Sequence, residues 1–452
     1  MGMMITLQIL RNMKELSKYF CTAPWTHTYL SPQTERRICC ASREQASWQK
    51  QYIDKDSVAS SKEYTPSTLD EHWNSEHMKS VRRRILDGES IPECQVCNDS
   101  LLNLYTYKDY FTKTMFPHKV NEILSSTDET GYTTMKPVSF DYRIYNLCNF
   151  KCRMCGEQLS SAWETEKRTM GWWDPKKDLW MVPEAKQKIE EFQKTVCEEE
   201  LWESVKNNTI EEIYWVGGEP LMYQIHWDIM QYLVQSGHSK NVTVRYNTNL
   251  SRISYKGIDL YGLLPHFKHV NMCCSQDATG DVAEWVRTGL KYNEWLTNFK
   301  QGIFLNGLFN MDSMVIDVTL TLPGLLDMKA LIDLAVELNV KSYVKISFDF
   351  DPSAIMSPMC LPRDILNDIC ADLIEYEREN GNEFTKIYSE TFNDMKTRPT
   401  FEEKYGVAHA KGLIDGKERY QRIAKFRKDN EKITIEDILS RNERVIDWWN
   451  NI

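Results

Sequence analysis

Between residues 137 and 350 the hydrophobic pattern switches between two periods. Short runs alternate apolar and polar positions, the period of a strand with one buried face. Longer stretches between them place apolar residues three and four apart, the period of a helix. The alternating runs are 138–146, 210–216, 242–247, 269–275, 314–321 and 342–350. Strands interleaved with helices predict βα units and a parallel sheet, because parallel neighbours need a crossover that a helix supplies. An α/β fold with six such strands predicts a partial (β/α)6 barrel of the TIM type.

The two faces of these strands differ in kind. In the first, Phe140, Tyr142 and Ile144 oppose Asp141, Arg143 and Tyr145. In the fifth, Ile316, Val318 and Leu320 oppose Asp317, Thr319 and Thr321; in the last, Val344, Ile346, Phe348 and Phe350 oppose Lys345, Ser347 and Asp349. The apolar face must meet the helices, so the polar face is predicted to line the lumen. Closed barrels ordinarily fill that space with branched aliphatics. Charged side chains there need water, a ligand or one another. A cavity for polar molecules is expected, with internal ion pairs as the alternative.

On the N-terminal side, residues 20–30 are predicted to form a strand after Pro24, Ser31-Pro32-Gln33-Thr34 to turn, and Arg37-Ile38-Cys39-Cys40 to return. Residues 70–87 predict an amphipathic helix with Trp73, His77, Val81 and Ile85 on one side and Gly88 at its end. After residue 360 the chain reads as charged helices, 362–378, 384–397 and on to Trp448-Trp449, expected to be a solvated surface. The predicted domains are a small cysteine-rich β-hairpin and helix module (1–110), a linker (111–136), the barrel (137–360) and a helical C-terminal extension (361–452).

Composition narrows the class. The 452 residues are 42% hydrophobic and 27% charged, ordinary for a soluble globular chain. The net charge is -10 and the densest basic run is Arg82-Arg83-Arg84, so no nucleic-acid partner is expected. No stretch has the length of a membrane span, and residues 1–10 lack the cationic start and cleavage site of a signal peptide. A cytoplasmic protein with no membrane partner is expected. Its 13 cysteines are then metal ligands, catalysts or buried thiols rather than disulfides.

One stretch carries candidate chemistry: Cys148-Asn149-Phe150-Lys151-Cys152-Arg153-Met154-Cys155. Thiolates are natural ligands of a [4Fe-4S] cluster, and three of them leave one iron without a protein ligand. By spacing alone, a buried helix face, a zinc site or a disulfide remain alternatives. The polar residues between the cysteines oppose the first, and the lack of a nearby fourth ligand opposes the second. A further set joins Cys21, Cys39 or Cys40, and the Cys94-x-x-Cys97 knuckle; four thiolates suit zinc or a second cluster. Cys197, Cys273, Cys274, Cys360 and Cys370 are expected to be buried thiols, Cys273 on the polar face.

These residues resemble the radical S-adenosylmethionine (SAM) enzymes, whose shared motif is Cys-x3-Cys-x2-Cys after the first strand of a partial barrel. The resemblance implies that Cys148, Cys152 and Cys155 are the catalytic cluster ligands and that Met154 lies against adenine. Tyr214-Trp215-Val216-Gly217-Gly218-Glu219-Pro220 closes the second strand as the family's Gly-Gly-Glu loop does, which implies that Gly217, Gly218 and Glu219 hold the SAM amino group. Glycines permit close approach and a carboxylate suits an ammonium. Asn247-Thr248-Asn249 stands where the family has a Thr-Asn-Gly turn. Ser275-Gln276-Asp277 is similar to an element that meets the ribose, and Arg287 to an arginine that meets the SAM carboxylate. The fifth strand lacks an evident Gly-x-Ile-x-Gly.

The N-terminal cysteines resemble an auxiliary-cluster module of the twitch type, the shortened relative of the SPASM domain. The matching residues are Cys21-Thr22-Ala23-Pro24-Trp25, Cys39-Cys40 and Cys94-Gln95-Val96-Cys97. A glycine usually stands five positions before the ligand of the pair, which favours Cys39, but Thr34 stands there and Cys40 stays open. Many relatives place this module after the barrel rather than before it.

The resemblance implies reductive cleavage of SAM to a 5'-deoxyadenosyl radical that takes hydrogen from a substrate. It further implies an auxiliary [4Fe-4S] cluster on Cys21, Cys39, Cys94 and Cys97, and a flavodoxin or ferredoxin-type electron donor. A peptide or protein is the preferred substrate and a small metabolite the alternative, with Arg143, Asp349 and Asp351 as candidate contacts. From other classes, an iron-sulfur electron-transfer or redox-sensing protein and a zinc-stabilised interaction protein remain alternatives.

Overall fold

Among the described residues, each of the six ranges predicted between 137 and 350 holds a strand that lies inside it or overruns it by one residue, and four further short strands accompany them. They are β1 (His27–Leu30), β2 (Arg36–Arg37), β3 (Ser139–Tyr142), β4 (Glu212–Trp215), β5 (Thr243–Thr248), a small separate hairpin of β6 (Ser254–Tyr255) and β7 (Ile258–Asp259), β8 (His269–Ser275), β9 (Ser313–Leu320) and β10 (Ser342–Ile346). The structure is a computed structural model that describes residues 16–44, 51, 63–99, 106–309, 313–347, 353–427 and 432–452. Phe348, Asp349, Phe350 and Asp351, expected in or just beyond the last strand, lie outside the described residues.

Eight strands follow one hydrogen-bonded order, β2-β1-β3-β4-β5-β8-β9-β10. Pairing is parallel at β1–β3, β3–β4, β8–β9 and β9–β10, and antiparallel between β1 and β2. Helices connect the strands from β3 onward, for example Gln224–Gln235 between β4 and β5 and Met328–Leu338 between β9 and β10. No helix among the described residues is long and apolar enough to cross a membrane.

The chain divides into two compact units, with the division falling inside β5. The first comprises the described residues up to Asn146, Glu166–Arg245 and His266–Lys268; the second comprises Leu147–Thr165, Tyr246–Pro265 and His269–Ile452.

In the first unit the hairpin differs from expectation. Residues Ala23–Thr26 make a helical turn, because Pro24 fixes a helical φ and needs no amide partner in the first turn. β1 therefore begins only at His27, and it joins β3 in parallel, with His27 opposite Ser139 and Leu30 opposite Tyr142. The helix expected over 70–87 is two helices, Leu69–Trp73 and Glu76–Leu86. Thr68 and Glu71 form a capping box on the first, and Ser75 caps Met78 N to start the second. That restart shifts the inner stripe to Met78, Val81, Arg82 and Ile85, and leaves His77 exposed, 2.7 Å from Glu44 Oε1.

Arg82 belongs to the basic run yet is fully buried. Its Nε donates to Pro24 O at 2.9 Å, an Nη donates to Asn74 Oδ1 at 2.8 Å, and the guanidinium lies 4.8 Å from the Trp73 ring centre. Burial lowers its pKa to about 9. These helices close over a core that includes Trp25, Val81, Ile85, Phe111, Phe116 and Val138.

Several charged residues of the polar face are paired with one another. In the first unit, Glu212 is fully buried and accepts from Ser139 Oγ at 2.5 Å, from Arg245 at 3.2 Å and from the Tyr110 hydroxyl. Ser139 Oγ spends its proton on Glu212, so its 2.6 Å contact with His27 Nδ1 needs the His27 proton on Nδ1. Burial, aided by Arg245 and Arg143, lowers the His27 pKa to about 3 and keeps the ring neutral. In the second unit, Asp317 accepts from Asn247 at 2.7 Å and from Lys345 at 2.8 Å.

The C-terminal region is helical as expected, through Arg363–Asn380, Lys386–Thr397, Val407–Arg427 and Glu443–Asn450. It is not merely a solvated surface. Leu366, Ile369, Leu373, Tyr388 and Phe392 are buried, and Tyr388 donates to or accepts from Ser342 Oγ on β10 at 2.8 Å.

Candidate functional site

The three-cysteine loop belongs to the second unit, and its conformation is set by side chains that cap its backbone. Ser161 Oγ lies 3.2 Å from Cys148 N and 3.3 Å from Cys148 O, and Ser160 Oγ donates to Phe150 O at 2.6 Å. Both serines open the helix Ser161–Thr169, whose Trp163 donates from its indole to Cys152 O at 2.7 Å. On the loop's other side, Lys151 N donates to Thr288 O at 2.7 Å and Arg153 N to Val286 O at 2.8 Å. A residue with a side chain would obstruct this pairing at Gly289. Its φ is 112°, and a Cβ would stand 2.9 Å from Phe150 Cδ1 and 3.0 Å from Asn149 O.

The sulfurs face hydrogen-bond donors. Arg287 donates to Cys152 Sγ at 3.9 Å, and Asn249 Nδ2 to Cys148 Sγ at 3.9 Å. Asn249 also donates to Asn149 Oδ1 at 3.1 Å, and Asn149 Nδ2 to Ser251 Oγ at 3.1 Å, so the turn after β5 is tied to the loop. Arg287 is itself held by Asp277: Nη2 donates to Oδ1 at 2.9 Å and Nε lies 2.8 Å from Oδ2. Asp277 is fully buried and accepts from Thr319 N at 2.7 Å as well. Burial raises its pKa, and Arg287 opposes that shift.

Burial likewise pushes the Cys152 thiol up to about 12 and raises Cys155, with Arg287 pulling both down. As bare thiols these two stay protonated at neutral pH. Bound to iron they would be thiolates, the species that N–H donors stabilise. The donors at Cys148 and Cys152 have the chemistry that cluster thiolates accept, whereas Cys155 Sγ donates to Gly156 O at 3.7 Å. Met154 is half-buried on the same loop. Ser275 ends β8 opposite Asp317 in register, and Asn247 Nδ2 donates to Asp317 Oδ2 at 2.7 Å.

In the first unit the Gly-Gly-Glu turn follows β4. Gly217 has φ 122°, and a Cβ there would stand 3.0 Å from Arg143 Cβ, so the close approach to β3's continuation requires glycine. Gly218 N donates to the Tyr223 hydroxyl at 2.9 Å, and that hydroxyl donates to Tyr145 O. Glu219 is buried, and its Oε1 accepts from Leu221 N at 3.1 Å, capping the turn Pro220–Met222. Arg143 makes a two-point ion pair with Asp141 at 2.9 and 3.1 Å.

The other cysteine set is also in the first unit. Cys21, Cys39 and Cys94 pack against one hydrophobic cluster, and Arg43 N donates to Glu93 O at 3.0 Å, joining the hairpin's exit to the knuckle. Burial, aided by the proximity of Cys97, raises Cys21 to about 12. Cys39 is raised by burial and then by Cys40, Cys21 and Cys94, whereas the neighbours that act on Cys40 include Asp141, Arg143, Tyr107 and Arg245. Thr34, five positions before Cys39, has φ 64°, the left-handed conformation that glycine adopts freely. Among the described residues, no three His, Cys, Asp or Glu side chains converge on a single metal ion.

The spacing of motifs did not indicate Tyr420 and Arg427. Tyr420 donates to Arg153 O at 3.1 Å, and Arg427 donates to Lys151 O at 3.2 Å and Thr288 Oγ1 at 3.0 Å. No family model matches the chain, and no curated protein matches it. Among solved structures, the chain is similar to Streptococcus suis SuiB bound to precursor peptide SuiA, at 14% identity and a TM-score of 0.34, over 73% of this chain and 68% of that one. SuiB bound to S-adenosylmethionine gives 13% identity and a TM-score of 0.33, over 70% and 65%. Likeness at this level does not establish a common fold.

Proposed function

We propose that this chain is a radical SAM enzyme that modifies a peptide or protein, with a [4Fe-4S] cluster on Cys148, Cys152 and Cys155. The observation that carries the reading is the loop itself: three cysteines in a capped turn, two of them receiving N–H donors from Asn249 and Arg287. When bound, the cluster and SAM supply reductive formation of a 5'-deoxyadenosyl radical. The chain's own residues orient and shield. Gly217, Gly218 and Glu219 offer a close backbone approach and a buried carboxylate for the SAM ammonium. Met154 offers an apolar contact to adenine, Asn247, Ser275 and Asp277 offer polar contacts, and Arg287 offers a cation for the SAM carboxylate.

The proposal includes closure of β3 to β10 into a partial (β/α)6 barrel whose polar face lines the substrate cavity, with Arg143 among its contacts. It also includes an N-terminal twitch-like module in which Cys21, Cys39, Cys94 and Cys97 hold an auxiliary [4Fe-4S] cluster. Cys39 is chosen over Cys40 because its neighbours are the other cysteines and because Thr34 takes the left-handed turn. Electrons would come from a flavodoxin or ferredoxin-type donor.

The test is anaerobic reconstitution with iron and sulfide, then SAM and a reductant. The expected product is 5'-deoxyadenosine, abolished in Cys148→Ala, Cys152→Ala and Cys155→Ala. Cleavage that persists in those variants overturns the assignment.

A further inference from the structure

The helix Val407–Arg427 is far from the cysteine loop in sequence, yet its last turns reach the loop's backbone. Arg427 is 2% exposed, and its Nη1 donates both to Lys151 O and to Thr288 Oγ1, the two strands of the short pairing that pins the loop. Its guanidinium lies 4.6 Å from the ring centre of Trp163, which in turn caps Cys152 O. About two helical turns earlier, Tyr420 caps Arg153 O. The carbonyls of Lys151, Cys152 and Arg153 are thus held in sequence by Arg427, Trp163 and Tyr420.

Charge accompanies this geometry. Arg153, Arg287 and Arg427 are all buried. The Arg153 guanidinium stacks 3.8 Å from the Trp285 ring centre and donates to Trp285 O at 3.0 Å. The Arg287 charge is matched by Asp277. A solvated helical surface would not need a buried cation at its end. The bond from Arg427 to Lys151 O places a cation on the backbone of what would become an anionic site. Three thiolates and a cluster form such a site, and its potential responds to nearby charge, hydrogen bonds and solvent access.

We propose that Arg427 and Tyr420 are positioning residues for the cysteine loop: Arg427 also raises the reduction potential of the cluster, and both slow the loss of its iron. This rests on the reading that Cys148, Cys152 and Cys155 hold a cluster. Arg427 stabilises the more negative, reduced state by its charge, and both residues hold loop carbonyls, those of Lys151 and Arg153, in place.

The test uses the full chain, reconstituted anaerobically, with the cluster's midpoint followed by electron paramagnetic resonance in a redox titration and iron release followed with a chelator. Arg427→Met is expected to shift the midpoint to more negative values and to speed iron release severalfold. Arg427→Lys is expected to return the midpoint toward the parent value while iron release stays fast, since the lysine keeps the charge without the planar fork. Tyr420→Phe is expected to speed release with little change in midpoint. A merely structural role would alter stability in all three and leave the midpoint of the retained cluster unmoved.

An unchanged midpoint in Arg427→Met overturns the role assigned to its charge, and unchanged release overturns the positioning role. If Arg427→Met fails to fold, unchanged release in Tyr420→Phe together with an unchanged midpoint in Arg427→Lys at parent release rates does so. A parent chain that binds no cluster overturns the functional reading itself, an outcome distinct from either.

Discussion

Thr34 Oγ1 and the Tyr64 hydroxyl stand 2.6 Å apart, and the bond holds a β-branched residue at φ 64°. Such a conformation costs about 1–2 kcal/mol outside glycine, so the turn that sets the position of Cys39 is held against its own preference. Gln51 Nε2 adds a donor to Thr34 O at 2.8 Å. Thr34→Gly is expected to be near neutral, because relief of strain offsets the lost hydroxyl bonds. Thr34→Val keeps the strain and removes the bonds, and is expected to lose about 2 kcal/mol. Denaturant midpoints of the two variants provide the check, and equal losses would mean that the left-handed turn is not what Tyr64 restrains.

His226 is fully buried between Trp215 and Trp227, with ring centres at 4.9 and 4.8 Å, and burial lowers its pKa to about 3. The unfolded chain binds a proton near the ordinary value of about 6.5 while the folded chain does not. The contribution is therefore present above that value and is lost as pH falls from it toward about 3. Between about pH 7 and about pH 5 this histidine alone should remove about 2 kcal/mol. Chemical denaturation at the two pH values should show a smaller difference for His226→Phe than for the parent.

Gly289→Ala puts a Cβ into Phe150 and Asn149 at a φ that a side chain rarely adopts. The strain of about 1–3 kcal/mol falls on the contact that pins the cysteine loop, through the buried Phe150 ring. The expected result is a folded chain, by circular dichroism, that retains less iron after reconstitution. Full iron occupancy would show that the loop does not need this approach.

Cys39 and Cys40 are neighbours in sequence that face different surroundings, Cys39 the other cysteines and Cys40 the charged groups Asp141, Arg143 and Arg245. Iron and sulfide are expected near eight per chain in the parent and about four in Cys39→Ser. Cys40→Ser should keep about eight. The reverse result would reassign the ligand, and about four in the parent would remove the auxiliary cluster.

The strands were legible because alternation is a local signal, and β8 (His269–Ser275) matches its expected range to the residue. The polar face was legible for the same reason, although its charges are paired with one another at Glu212 and Asp317. What escaped notice was non-local or set by a cap. Ser75 restarts a helix and turns His77 outward, Arg82 exchanges a place in a basic run for the interior, and no period links Tyr420 to Arg153, 267 residues away. The cysteine loop was legible by spacing, but the side chains that cap it come from several elements, which spacing cannot show.

The parallel pairing of β1 with β3 bears on how the chain is made. His27 and Ser139 are 112 residues apart, so β1 leaves the ribosome long before the strand it must lie against. Contacts of that separation form late and slowly. Until then the hairpin is an unpaired edge beside uncovered thiols, the kind of surface that aggregates or is captured by chaperones. Iron loading on Cys21 and Cys39 would therefore be expected to follow synthesis of β3 rather than accompany emergence of the N-terminus.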